Sequence, residues 1–173
     1  MSTNSSQTPS AQELYNLDNP IFCCYVFWAT VLVAKMLLMS TLTAVQRFRY
    51  KLLGLLPLGL RRKIFPNQED LFFKNTEVQF NDPHVERVRR AHRNDMENIL
   101  PYFIMALIYI STNPDATVAC NLFRVASVAR LVHTLVYAVY PVPQPARLIA
   151  FASMQLITYY MAAVVALRTL RFI

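Results

Sequence analysis

The sequence predicts an all-α integral membrane protein folded as a bundle of four transmembrane helices. Of its 173 residues, 55% are hydrophobic and only 16% are charged, and the mean hydropathy is +0.30. Soluble domains carry about 25% charged residues, so this balance indicates a chain surrounded by lipid. A transmembrane β-barrel is disfavoured because the sequence has only 2 glycines and no regular alternation of polar and apolar residues. We therefore expect helices, and not strands, to cross the membrane.

Four apolar segments give the order of the predicted helices. Three of them are long enough to span a bilayer, which takes about 20 helical residues. The second apolar run, residues 99–110, is too short, so its helix has to include the preceding charged residues back to Arg90. Prolines in the pair Asn113-Pro114 and in the stretch PVPQP (141–145) end the second and third helices. The predicted spans are residues 21–45, 90–111, 116–140 and 146–168.

The segments outside the spans predict how the chain is oriented. Residues 1–19 begin with a polar stretch that has no basic residue, and we expect a disordered tail there, followed by a single domain over residues 20–173. Eleven of the 17 Lys and Arg residues lie between Arg47 and Arg93. Positively charged loops stay in the cytosol, so residues 46–89 are predicted to be cytosolic and both termini lumenal. Topology thus explains the net charge of +7, and no nucleic acid partner is expected.

Charged and polar side chains on the second and third helices form two stripes. At 3.6 residues per turn, each set falls on one helical face. A single charge at the bilayer centre costs about 2.5 to 3.5 kcal/mol, so both stripes are expected to point inward, toward protein, water or a polar ligand. The stripes consist of Glu86, Arg90, Arg93, Asn94 and Glu97 on the second helix, and of Arg130, His133, Thr134 and Tyr137 on the third.

Two interpretations of the stripes stay open: a structural network that fixes helix register, or an excess of cations that binds an anionic ligand. Arg147, after the proline-rich break, either contacts lipid headgroups or binds an anion together with the N-terminus of the fourth helix. Lys35, alone in the first span, is interpreted as a helix-pairing partner and not as a catalytic amine. Cys23, Cys24 and Cys120 have no metal-ligand spacing, so no metal is expected.

Several stretches of the chain resemble a known family. They are KMLLMSTLTAVQRF (35–48), FPNQEDL (65–71), VERVRRAHRNDMENILPYF (85–103), RLVHTLVYAV (130–139) and PVPQPAR (141–147). In collinear order over residues 20–167, they resemble the membrane-associated proteins in eicosanoid and glutathione metabolism, the MAPEG family. The resemblance implies a four-helix subunit that assembles as a homotrimer. It also implies a location in the endoplasmic reticulum membrane and the mitochondrial outer membrane, with the active site facing the cytosol.

The resemblance further implies roles for individual residues. Glutathione would be the co-substrate, bound between neighbouring subunits, without a metal. Arg147 would stabilise its thiolate, and Asp70 matches the acidic residue of the family's NPED loop, which reads NQED (67–70) here and lacks the proline. The implied glutathione-binding residues are Arg47, Arg90, Arg93, Asn94, Glu97, Arg130, His133 and Tyr137.

The activity implied by the resemblance has alternatives. The favoured one is a membrane-bound glutathione S-transferase that joins glutathione to hydrophobic electrophiles and also reduces lipid hydroperoxides. A prostaglandin E synthase-like or leukotriene C synthase-like reaction on the same scaffold is the first alternative, although Leu148 stands where prostaglandin-synthesising relatives carry a serine. A non-enzymatic helix-bundle partner is the second. The polar residues gather toward the cytosolic half of the second and third helices, which favours a one-sided pocket over an ion pore.

Overall fold

The computed structural model describes residues 9–49, 63–65, 76–78 and 82–172, and these residues are mainly helical. Within these residues, four long helices follow one another, with a short helix before them and a small two-stranded parallel ladder between the first two. The elements are α1 (Ala11–Leu14), α2 (Pro20–Arg49), β1 (Lys63–Phe65), β2 (Thr76–Val78), α3 (Pro83–Ile110), α4 (Ala116–Thr134), a π-helical turn (Leu135–Val139), α5 (Ala146–Thr169) and a 3-10 turn (Leu170–Phe172).

The long helices pack as an antiparallel bundle. Helix α2 packs against α3 and α4, and α5 packs against the same two helices, so α3 and α4 face each other across the bundle. Near the start of α2, the hydroxyl of Tyr25 donates to the carbonyl oxygen of Phe103, near the end of α3, at 3.2 Å. The bundle interior is mainly apolar. Its fully buried side chains include Leu32, Tyr102, Tyr109, Phe123, Met154 and Met161.

The outer surface of the bundle is also apolar. Large hydrophobic side chains such as Leu37, Ile104 and Leu156 are well exposed on three different helices. A soluble protein of this size rarely exposes so many, whereas lipid tails solvate them without cost. Three stretches of the described chain are long and apolar enough to cross a membrane, namely Pro20–Gln46, Ala116–Val139 and Ala146–Phe172.

Helix α3 joins the charged stretch and the short apolar run in one continuous helix, as the length of the apolar run predicts. It begins at Pro83 and not near Arg90, and its 28 residues extend about 42 Å. Because its first half is charged, α3 is not among the three apolar stretches named above. Its buried residues recur every three or four positions, at Val88, Ala91, Asp95, Ile99, Tyr102, Ala106 and Tyr109, which is the pattern of one helical face turned into a core.

The buried side chain of Asp82 caps α3. Its Oδ1 accepts from the backbone N–H groups of His84 and Val85, both at 3.0 Å, and Pro83 occupies the first turn, where its missing N–H is not needed. We expect Asp82→Ala to destabilise the protein by about 1 kcal/mol, measured by thermal unfolding in detergent followed by circular dichroism. Asp82→Asn keeps an acceptor oxygen and is the matched control. Equal losses in both variants would contradict the capping role.

The breaks that end α3 and α4 lie where the prolines predict them. Asn113 takes a left-handed conformation with φ of 46° before Pro114, and asparagine tolerates that region better than most residues. Asp115 then caps α4 by accepting from the N–H of Val118. After α4 the backbone widens into the π-helical turn, closed by the N–H of Tyr140 bonding the carbonyl of Leu135 at 2.8 Å. Such turns occur frequently at functional sites.

Two features differ from the sequence prediction. Part of the predicted disordered tail is ordered: Ser10 and Glu13 form a reciprocal capping box around α1, and these hydrogen bonds lower the pKa of Glu13. Leu14 is buried, and the Tyr15 hydroxyl donates to the carbonyl of Leu107 at 3.2 Å, so local caps and tertiary contacts outweigh the polar composition. Residues 1–8 lie outside the described range. The strands β1 and β2 fall in the predicted loop 46–89, where no strand was expected.

Candidate functional site

A cleft of about 350 Å³ lies between α3, the end of α4 with its π-helical turn, and the start of α5. Chain connectivity places it at the end of the bundle from which the segment between α2 and α3 leaves. It is lined by seven of the residues that the sequence analysis predicts to bind glutathione or to act in catalysis. Its walls consist of Arg90, Arg93, Asn94, Glu97, His133, Tyr137, Gln144, Arg147, Leu148 and Phe151.

Helix α3 supplies the charged wall, and here the predicted orientation is wrong in part. Arg90, Arg93 and Glu97 are exposed and line the open cleft, while Asn94 is half-buried. The helix is rotated so that its apolar face, which includes Asp95, enters the core. Burying that apolar face gains more than burying the arginines, so the charged stripe is placed beside the core and not inside it.

Arg130 lies behind this wall and is completely buried. Its Nη1 donates to Asn94 Oδ1 at 2.9 Å and its Nη2 donates to the Asn94 carbonyl oxygen at 3.0 Å. Its Nε contacts the sulfur of Met154 at 3.2 Å. Arg130 therefore reaches across the bundle from α4 and holds a cleft residue of α3, so it supports the cleft from within and does not form its surface.

His133 and Tyr137 form the aromatic wall. Their rings meet edge to face with centroids 5.5 Å apart, and His133 is 4% exposed. Its Nδ1 has no hydrogen-bond partner within the part of the chain that the structure describes. A buried ring nitrogen without a partner is costly, which favours a ligand that supplies one. Thr134, from the same predicted stripe, donates to the Arg130 carbonyl and is not part of the cleft.

The start of α5 completes the cleft. Arg147 stacks its guanidinium over the ring of Tyr137, 4.8 Å from the centroid. The Gln144 side-chain oxygen accepts from the N–H of Leu148 at 3.1 Å, which satisfies one of the free donors at the helix N-terminus. Sequence reasoning missed Gln144 and Phe151 as cleft residues. The position of Phe151, one turn after Arg147, was the available signal.

A buried ion pair joins α2 and α3 behind the cleft. The ammonium of Lys35 contacts a carboxylate oxygen of Asp95, and both side chains are nearly inaccessible. Lys35 is therefore an internal helix-pairing partner, as the sequence predicts. Asp95 was missed as its partner, although its place among the apolar positions of α3 identifies it as an inward residue.

Other nominated residues lie away from the cleft or outside the described part of the chain. Glu86 pairs with Arg89 on the α3 surface. The side chain of Arg47 and all of Asp70 fall outside the described residues, so their roles stay predictions. Among the described residues, no group of three or more His, Cys, Asp or Glu side chains could hold a metal ion.

The cleft is chemically suited to a small, multiply charged ligand. Arg90 and Arg93 supply guanidinium forks for carboxylates, Arg147 supplies a further cation, and Glu97 supplies a partner for an ammonium group. The aromatic wall and Leu148 add apolar contact area. An anion with carboxylates at its ends and one amino group fits this set better than a simple inorganic anion, which the carboxylate of Glu97 would repel.

Comparison with known proteins identifies the family of the chain. The sequence pattern of the MAPEG family matches residues 25–167. Microsomal glutathione S-transferase 1 of Homo sapiens is 39% identical over 140 residues, which cover 78% of this chain and 82% of that protein, and the Rattus norvegicus protein of the same name gives the same figures. Prostaglandin E synthase of Bos taurus is 35% identical over 131 residues, covering 75% of this chain and 76% of that protein. These matches confirm the resemblance found in the sequence, and the chain belongs to the MAPEG family.

Proposed function

We infer that this protein is a membrane glutathione transferase. The observation that carries this inference is the cleft, which gathers Arg90, Arg93, Glu97, His133 and Arg147 in one place. Glutathione has two carboxylates, one ammonium group and one thiol, and each finds a suitable partner in that set. Relatives named microsomal glutathione S-transferase 1 match most of the chain, which supports the same ligand here.

The reaction starts from the glutathione thiolate. A free thiol of this kind has a pKa of about 8.5, so only a few per cent is ionised at neutral pH. In this proposal Arg147 binds the sulfur as an anion. Its support is that Arg147 lines the cleft near the N-terminus of α5, where the helix dipole also favours negative charge. The thiolate attacks an electrophilic carbon, a C–S bond forms, and the leaving group departs with its electron pair.

Reduction of a lipid hydroperoxide fits the same site. The thiolate attacks the terminal peroxide oxygen, the O–O bond breaks, and the lipid alkoxide takes a proton to become an alcohol. A second glutathione then displaces hydroxide from the resulting sulfenic acid, giving the disulfide and water. Both acceptors are hydrophobic, so they reach the cleft laterally from the bilayer.

The membrane arrangement belongs to the same proposal. Helices α2 to α5 cross the bilayer, with the cleft toward the cytosol, in the endoplasmic reticulum and mitochondrial outer membranes. The basic segment between α2 and α3 supports this orientation. Three such chains form a homotrimer, in which a neighbouring subunit covers the exposed arginines of α3 and completes the glutathione site. Arg47 joins that site, and Asp70 of the cytosolic loop acts in catalysis.

A prostaglandin E synthase-like reaction is the second candidate, supported by the prostaglandin E synthase relative. Leu148, directly after Arg147, favours the transferase. It places an apolar side chain in the cleft where prostaglandin-synthesising relatives carry a serine. The two candidates are separated by assaying detergent-purified protein with glutathione against three acceptors: chlorodinitrobenzene, a lipid hydroperoxide and a prostaglandin endoperoxide. We expect turnover with the first two. Turnover restricted to the endoperoxide would replace the transferase with the synthase.

The charged wall of α3 gives a separate prediction about affinity. We expect Arg93→Ala and Glu97→Ala each to raise the dissociation constant of glutathione about tenfold, because each removes one charged partner of the ligand. Equilibrium dialysis of detergent-purified protein measures this. Arg89→Ala, on the α3 surface outside the cleft, is the matched control and should bind glutathione normally. Unchanged affinity in both cleft variants would remove this wall from the binding site.

A further inference from the structure

Lys35 and Asp95 form a buried ion pair that has no part in the reaction described above. Asp95 directly follows the cleft residue Asn94 in α3. Lys35 is 6% exposed and Asp95 is 0% exposed. Desolvating two charges offsets most of their attraction, so a buried pair of this kind adds little net stability compared with packed apolar side chains. Its presence in a mainly apolar interface between α2 and α3 therefore indicates a role other than stability.

The ion pair fixes α3 at Asp95, and the neighbouring residue of α3 is fixed by a second helix. Asp95 is held by Lys35 of α2, and its neighbour Asn94 is held by Arg130 of α4 through two hydrogen bonds. Successive helical residues are about 100° apart around the axis, so the ion pair and the hydrogen bonds from Arg130 contact α3 on different sides. Together they fix its rotation at this point, which keeps Asn94 against Arg130 at the wall of the cleft.

The contact with Arg130 also sets the hydrogen-bonding polarity of Asn94. Arginine has only donors, so the side-chain oxygen of Asn94 has to face Arg130. Its Nδ2, with two N–H donors, then faces away from the Arg130 contact, and Asn94 lines the cleft. A carboxylate accepts such donors, whereas the opposite amide orientation would repel it. Asn94 can act in this way only while the rotation of α3 keeps it against Arg130.

We propose that Lys35 and Asp95 are positioning residues: their buried ion pair locks the rotation of α3 so that Asn94, oriented by Arg130, donates to a carboxylate of the ligand. This inference rests on the proposed function, because it takes glutathione as that ligand. The pair touches neither glutathione nor the acceptor and sets glutathione affinity through Asn94. Turnover at saturating glutathione depends on Arg147 and is not expected to follow the pair.

The test removes both charges together, since Lys35→Met/Asp95→Leu leaves no orphaned charge and keeps the net charge of the interior. The dissociation constant of glutathione is measured for wild type, for this double variant, for Asn94→Ala and for the triple combination. Tyr102→Phe, which alters another buried polar group on the same face of α3, is the matched control. The maximal rate with chlorodinitrobenzene is measured alongside.

We expect the double variant to raise the dissociation constant about tenfold in the wild-type background and less than about twofold in the Asn94→Ala background, since the two changes act through one contact. The maximal rate should stay within about threefold of wild type, and Tyr102→Phe should bind normally. The same factor in both backgrounds, or no change in either, would overturn the positioning role while leaving the transferase intact. A wild-type protein that does not bind glutathione would overturn the proposed function and this inference with it.

Discussion

Arg147→Ala should lower the maximal rate of glutathione conjugation about 100-fold at neutral pH while leaving the dissociation constant of glutathione within about threefold. The carboxylates keep their partners on α3, so binding survives. The loss is expected in the thiolate, because the variant lacks the guanidinium that we propose to stabilise the negative sulfur near the N-terminus of α5. Steady-state rates with chlorodinitrobenzene and equilibrium dialysis measure the two effects separately.

The pH dependence of the same variant distinguishes thiolate stabilisation from a role in folding. An Arg147 that stabilises the thiolate lowers the pKa of the bound thiol, so its advantage is largest below the free thiol pKa of about 8.5 and shrinks as the pH rises above it. The gap between wild type and Arg147→Ala should therefore narrow several-fold between pH about 7 and pH about 9. Arg168→Ala, in the exposed last turn of α5, is the control and should keep full activity. Full turnover by Arg147→Ala, or a gap independent of pH, would contradict the thiolate role.

Lys35→Met alone should destabilise the protein by about 3 to 5 kcal/mol, because it leaves the carboxylate of Asp95 buried without its cation. In a chain of this length we expect the midpoint of thermal unfolding to fall by roughly 6 to 20 °C. Thermal unfolding in detergent measures the shift. Adding Asp95→Leu to Lys35→Met should recover most of the loss, since the orphaned charge is then removed.

Arg124→Met is the matched control for that experiment. Arg124 is exposed on α4, and its Nη1 donates to the side chain of Asn121 at 3.2 Å. Its loss should change the midpoint by only about 1 to 2 °C. If Lys35→Met proves as stable as the Lys35→Met/Asp95→Leu combination, the buried pair is not the source of the effect.

The long helices and their ends follow from local features of the sequence. Apolar length predicts α2, α4 and α5, and the prolines at Pro114 and in PVPQP predict where helices stop. The length deficit of the run 99–110 correctly predicts that α3 includes its charged neighbours. These features depend only on chain length and on backbone chemistry, so a single sequence contains them.

The rotation of α3 could not be obtained from its charges alone. The stripe that contains Arg90, Arg93 and Glu97 lies on one side of α3. The orientation of the helix in the bundle, however, depends on which of its faces buries the most apolar area. That face includes Val88, Ile99 and Tyr102, and it carries Asp95 inward with it. The buried ion pair with Lys35 thus follows from the apolar spacing of α3 and not from the distribution of charge.

Other parts of the cleft depend on tertiary geometry. The Gln144 side chain meets the N–H of Leu148 only because the chain turns tightly before α5. The π-helical turn that contains Tyr137 has no strong local sequence signal, since its residues, LVYAV, also suit an ordinary α-helix. Grouping Arg147, Tyr137 and His133 in one cleft therefore required the family resemblance or the structure itself.

Direct observation of the bound thiolate tests most directly whether this cleft binds glutathione and activates its sulfur. Detergent-purified protein is titrated with glutathione at neutral pH, and the ultraviolet difference absorbance of the thiolate is recorded. A signal that saturates with glutathione and is absent with a glutathione analogue lacking the sulfur is the result we expect. The absence of a thiolate signal, at glutathione concentrations where dialysis shows the ligand to be bound, would contradict thiol activation by this site.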